Sequence, residues 1–216
     1  MERRGLSLRL YFFAFVISLL VFVVGVVLGW QWGYSAVTQM GAELDSLNSQ
    51  NAEMDLVSLM ENQSFACPVY ESEFSRLFQA AQDYGDKLAE MERRKGKLDP
   101  EVMRLKEDYA AMQLRNYLLQ QKMDSKCGSR HNVILYFYSN ENYSQAADEG
   151  IQIGEVARGF GVYTYHFDVN AAGPVVAGLK AGYGVRATPT LIINGEKFEG
   201  FMDAAALAQA LRGNGS

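Results

Sequence analysis

Tyr183-Gly184-Val185-Arg186-Ala187-Thr188-Pro189-Thr190-Leu191-Ile192-Ile193-Asn194-Gly195-Glu196-Lys197-Phe198-Glu199-Gly200 reads as a short strand, a tight turn and a second strand. Thr190 to Ile193 are apolar and largely β-branched, which suits a buried strand. Asn194-Gly195 supplies the two positive-φ residues of a two-residue hairpin. Pro189 has no N–H to give to a ladder, so it belongs at the start of a strand.

Working upstream, Val133-Ile134-Leu135-Tyr136-Phe137-Tyr138 is an unbroken apolar run. Strands buried on both faces have that character. Ser139-Asn140-Glu141-Asn142 leads into a helix reaching about Phe160, and Val162 to Val169 is a second strand. Pro174 to Gly182 is a short helix. After the hairpin comes a last helix, Asp203 to Leu211, with Asp203 as its N-cap. The order is strand, helix, strand, helix, strand, strand, helix.

Before this region the periodicity is helical. Phe74, Leu77, Phe78, Ala81, Tyr84, Leu88 and Met91 keep to one face. Asp99 caps a second helix with Pro100 at its first position, and Val102, Leu105, Tyr109, Met112 and Leu119 carry its stripe. The charge run Glu92 to Lys97 reads as a solvated loop between them. Helices joined by so short a loop lie antiparallel. Cys67 opens the first helix and Cys127 follows the second, so antiparallel packing brings them together. A Cys67–Cys127 disulfide is expected, with free thiols or intermolecular bridges as the alternatives.

Leu10 to Trp30 carries no charge and is almost wholly apolar. At ~1.5 Å per residue such a helix spans about 30 Å, a bilayer's hydrocarbon thickness. Arg3, Arg4 and Arg9 precede it, and Trp30, Trp32 and Tyr34 follow. The expectation is a signal anchor with a cytoplasmic N-terminus and everything after it extracytoplasmic. A cleaved signal peptide is the competing reading, but the stretch is long for one and Gly33-Tyr34-Ser35-Ala36 is a poor cleavage site. Val37, Met40, Leu44, Leu47, Asn51 and Met54 then alternate spacings of three and four. They read either as a short dimerising coiled coil with Asn51 setting its register, or as a helix packing on its own chain.

The element order from Asn132 to Arg212, and above all Tyr183 to Leu191, resembles the thioredoxin-like family: aromatic, glycine, apolar, basic, then Thr-Pro-Thr. The resemblance implies a mixed sheet flanked by helices. It also implies a cis proline at Pro189, and a loop, Arg186-Ala187-Thr188-Pro189, that pairs with an extended peptide. The chain departs from the family where a Cys-x-x-Cys should open the first helix of the domain. Asn142 and Gln145 stand there, and an amide cannot do thiolate chemistry. Cys127 precedes the first strand, a strand's length of ~20 Å from that pole.

The segments expected are therefore residues 1–9 in the cytoplasm, an anchor over 10–32, a helical stalk over 33–66, a disulfide-closed hairpin over 67–127 and a thioredoxin-like domain over 130–212. The function expected is a redox-inactive binding or assembly module for an unknown protein client. The alternatives are a thiol-disulfide oxidoreductase using Cys67 and Cys127, and a structural dimer joined by the stalk. The net charge of −5 leaves no basic footprint for nucleic acid. Two cysteines and two histidines are too few for a zinc site, and no cofactor is implied. His131 and His166 have no nucleophile near them in sequence and read as surface or internally satisfied side chains. Asn62, Asn142 and Asn214 each match the N-glycosylation pattern.

Overall fold

The computed structural model describes residues 12–27, 66–140 and 143–213. The chain divides into two units, Met1–Asp55 and Leu56–Ser216. In the first, residues 12–27 form a helix, α1, whose apolar side chains are exposed on every side, Phe13 by 66% and Val21 by 69%. Among the described residues, no helix is long and apolar enough to cross a membrane. The rest of the span read from Leu10 to Trp30 lies outside the described residues. So do residues 1–9, the heptad pattern of the stalk, and Asn62, Asn142 and Asn214.

The second unit begins with a helical hairpin, α2 (Ala66–Lys95) and α3 (Pro100–Cys127). Tyr70, Phe74, Leu77, Ala81, Tyr84, Leu88 and Met91 recur at spacings of three and four, and all are buried. At the closed end, Gly96 turns the chain. Asp99 Oδ1 then accepts hydrogen bonds from the Glu101 and Val102 amides at 2.9 and 3.4 Å. Lys95 and Glu101 form an ion pair across the turn. At the open end, Cys67 and Cys127 are bonded, with Cα atoms 5.7 Å apart. Midway, the Tyr84 and Tyr109 rings stack at 6.1 Å. A Cβ on Gly85 would meet the Tyr109 hydroxyl at 3.1 Å, so the absent side chain is what admits that ring.

The sheet has the order β2-β1-β3-β4. β1 (Val133–Tyr138) pairs in parallel with β2 (Tyr163–Asp168) and antiparallel with β3 (Thr190–Ile193). β3 turns through Asn194 (φ 50) and Gly195 (φ 91) into the edge strand β4 (Glu196–Glu199). The crossovers are α4 (Tyr143–Phe160) between β1 and β2 and α5 (Pro174–Tyr183) between β2 and β3. α6 (Ala204–Gly213) ends the unit, its Asp203 cap accepting from the Ala206 amide at 2.8 Å. β1 is apolar throughout because both its faces are covered. Ile134 and Tyr136 pack with Leu191 and Ile193 under α4 and α6. Leu135 and Phe137 pack with Tyr165, Phe167 and Ile192 on the other face. Each such side chain contributes roughly 1.5–3 kcal/mol by burial.

That second face shows how the hairpin joins the sheet. Its cover comes from α5, through Val176, and from α3, through Ala110 and Tyr117. Read from the sequence, hairpin and sheet are consecutive segments; in the structure they share one core. α3 carries two buried stripes. Leu105, Met112 and Leu119 belong to the stripe read in sequence, while Lys106, Ala110, Gln113, Tyr117 and Gln120 are also buried. Two polar members of this second set meet the sheet: Gln120 Oε1 accepts from the Tyr165 hydroxyl, while its Nε2 has no partner among the described residues. Lys106 is bonded to Asp168 and Glu92. The run Glu92 to Lys97 thus corrects in part: Glu92 to Lys95 are the last turn of α2, Arg93 to Gly96 are exposed as expected, and Glu92 and Lys97 at its two ends bond inward to Lys106 and Asn140.

Candidate functional site

The C-terminal end of β1 carries the loop that the family resemblance singles out. Thr190 pairs with Phe137, so the chain enters β3 beside the last turns of β1. The Thr188–Pro189 peptide is cis. Pro189 is buried and its carbonyl accepts from the Gly200 amide at 2.9 Å. The Thr190 hydroxyl donates to the Ala187 carbonyl at 2.7 Å. Arg186 and Ala187 are exposed and Thr188 is half-buried. Among the described residues, neither the N–H nor the carbonyl of Thr188 bonds another backbone group. Of the two positions aligned with the absent cysteines, Asn142 lies outside the described residues and Gln145 falls in the first turn of α4.

A polar network fixes the turn leaving β1 at this same pole. The Lys106 ammonium, 2% exposed, donates to Asp168 at 2.7 Å, Glu92 at 2.9 Å and the Lys97 carbonyl at 3.0 Å. Asp168 Oδ2, which takes the Lys106 ammonium, also accepts from Asn140 Nδ2 at 2.7 Å, and Oδ1 accepts from the Asn170 amide at 3.0 Å. Asn170 Oδ1 accepts from the Ser139 hydroxyl at 2.8 Å, and the Lys97 ammonium donates to Asn140 Oδ1 at 3.1 Å. Two buried charges are tolerated because Lys106 has three acceptors for its three protons and Asp168 accepts from three donors. The closed tip of the hairpin is thereby tied to Ser139 and Asn140, the residues that open the first crossover. Burial beside Asp168 and Glu92 also raises the Tyr138 phenol well above its ordinary value.

Other titratable groups lie deeper. Glu149 on α4 is fully buried; burial raises its carboxyl, against the hydrogen bonds from the Met202 amide and Tyr136 that lower it. His166 on β2 faces a small cavity beneath α2, and burial brings its imidazole down to about 4. Both sit behind the sheet's covering helices, where they act on stability more directly than on any ligand.

The disulfide lies at the opposite pole. Cys127 ends α3 and the chain then runs through Gly128 into the N-terminal end of β1, whose six residues separate it from the Thr188–Pro189 loop by about 20 Å. Here Asp124 anchors the link: it accepts from the Ser129 hydroxyl at 3.0 Å and from His131 Nδ1 at 2.6 Å. His131 is therefore a satisfied histidine, seven residues from its partner across the end of a helix. Among the described residues no group of ligands suits a metal ion. Sequence reasoning did not single out Lys106, Asp168, Asn170 or Asp124. The available signal was the repeat Val102-Lys106-Ala110-Gln113-Tyr117-Gln120 at spacings of four and three, a second face disguised by its polar members.

The second unit is thus a mixed four-stranded sheet with helices on both faces, consistent with a thioredoxin-like fold, fused to a disulfide-closed helical hairpin. No protein-family model matches the chain, and no curated protein sequence does. Among solved structures it is similar to a malarial protein, at 14% identity and a TM-score of 0.35 over 40% of this chain and 100% of that one. It is also similar to thioredoxin-2, described as a component of malaria parasite protein secretion machinery, at 15% identity and a TM-score of 0.34 over 39% and 84%. Likenesses this slight carry no weight in the functional reading.

Proposed function

We propose that the chain is a membrane-anchored, extracytoplasmic binding module in which a thioredoxin-like sheet without dithiol chemistry holds extended segments of client proteins. The observation that carries the reading is the Thr188 backbone, which makes no hydrogen bond to other described backbone groups at the exposed entry to β3. Backbone groups so placed can add a strand to a bound peptide. The absence of a thiol at Asn142 and Gln145 supports binding over exchange. Support for the anchor comes from α1, which exposes Phe12, Phe13, Phe15 and Ile17 with no polar face. Glycosylation of Asn62, Asn142 or Asn214 and dimerisation through the stalk belong to the same extracytoplasmic reading and rest on sequence alone.

The experiment uses reduced, carboxymethylated α-lactalbumin, an unfolded client that cannot form a disulfide. A photoreactive residue at Ala187 should capture it, and the same residue at the exposed Ile151 of α4 should not. Equal capture at the two positions would rule out the Thr188 loop as the client site.

A further inference from the structure

The pole that carries the disulfide also carries a cleft, of about 890 Å³, independent of the Thr188–Pro189 loop. Three segments build it: the end of α3 with Tyr117, Gln121 and Asp124, the link from Gly128 to Asn132, and the β3–β4 turn at Asn194-Gly195. Its volume is in the range of small-ligand sites. Its floor is apolar, formed by Val133, Leu135 and Ile192.

The rim is polar and preorganised. The Asp124 carboxylate holds Nδ1 of His131 at 2.6 Å, and the ring stands edge-on to Tyr163 at 5.3 Å. With Nδ1 held by the carboxylate, Nε2 is the ring nitrogen left to meet a ligand. Gln121 is fixed by its amide donating to the Tyr117 hydroxyl at 2.6 Å, leaving Oε1 to accept. Asn132 is fixed by its carbonyl, which accepts from Asn194 at 2.9 Å, leaving its amide nitrogen to donate. The exposed Arg130 adds a planar fork of donors, with no ion pair among the described residues. Gln121 and Asn132 thus offer an acceptor and a donor beside an apolar floor, and Asp124 and Arg130 bring one charge of each sign.

We propose that this cleft binds a neutral, polyhydroxylated ligand, a short saccharide. Hydroxyls donate and accept at once, which a mixed rim satisfies, and the C–H faces of a sugar ring suit the floor. An anion would meet the Asp124 carboxylate. A strand of peptide would find no edge, since β1 and β3 are each paired on both sides here. A metal ion would find one imidazole beside a carboxylate already bonded to Ser129 and His131.

Saturation-transfer NMR on the full-length chain, in a detergent without a sugar headgroup, tests this with maltotriose, cellotriose and chitotriose. At least one trisaccharide should bind. His131→Ala and Asn132→Ala should each weaken it by about tenfold, one hydrogen bond's worth, and Ile151→Ser should leave it unchanged. Should His131→Ala unfold, as circular dichroism would report, Gln121→Ala takes its place. Silence from all three sugars, binding that survives both substitutions, or displacement of the sugar by inorganic phosphate would overturn the assignment.

Discussion

Replacing Lys106 by Met isolates the tie between hairpin and sheet. Methionine keeps most of the aliphatic stem and removes the ammonium. Its three acceptors, at 2.7, 2.9 and 3.0 Å, then lose their common donor, and both Lys106 and Asp168 side chains are only 2% exposed. Breaking a buried ion pair from one side costs about 3–5 kcal/mol, because the other charge is left buried and uncompensated. Asp168 keeps the Asn140 and Asn170 donors, which places the loss at the lower end, about 3 kcal/mol. For a unit of this size that lowers the melting temperature by about 6–12 °C. Urea denaturation of the full chain, followed by circular dichroism, measures it. The double variant Lys106→Met/Asp168→Asn should recover more than half of the loss, since the fully buried stranded charge is gone and only the partly exposed Glu92 is left without its donor. A loss under about 1 kcal/mol, or a double variant no better than the single, would refute the claim that this buried pair joins the two parts.

Cys67→Ser/Cys127→Ser opens a loop of 60 residues and should lower stability by about 4 kcal/mol on the chain-entropy argument, checked by the same denaturation curves. His166 and Glu149 should give opposite pH slopes. The folded value of His166 is depressed to about 4 from 6.5, so its contribution is full above pH 6.5 and is lost as pH falls towards 4, by at most about 3 kcal/mol. His166→Gln should flatten that acid limb. The folded value of Glu149 is raised above 4.5, so stability falls as pH rises from 4.5 through the raised value and is level beyond it. Glu149→Gln, which keeps an acceptor for the Met202 amide, should abolish that decline.

The parts of this fold legible in the sequence are those where one local rule acts alone. Asn194-Gly195 specifies a turn, Asp99-Pro100 a helix start, and the run Val133 to Tyr138 a strand covered on both faces. The fusion of hairpin and sheet was not legible, because α3 is buried on two sides. Its second side uses Lys106, Gln113 and Gln120, residues that a hydrophobic pattern counts as solvent-facing. Their burial depends on partners distant in sequence, Asp168 and Tyr165 among them, that only tertiary contact supplies. The Asp124–His131 pair was hidden differently. The two lie seven positions apart, and it is the left-handed Gly128 at the end of α3 that folds one back upon the other.

The central claim is that clients meet the thiol-free pole at Thr188 while the cysteines staple the far end of the hairpin. Trapping with an unfolded client that retains one free thiol decides between the poles, using a photoreactive group at Ala187 in the natural chain and in its Cys67→Ser/Cys127→Ser form. Mass spectrometry of the adducts should find the client joined at position 187 in both forms, with no mixed disulfide to Cys67 or Cys127. A mixed disulfide at either cysteine, with nothing joined at 187, would contradict the account and give the cysteine pair the active role.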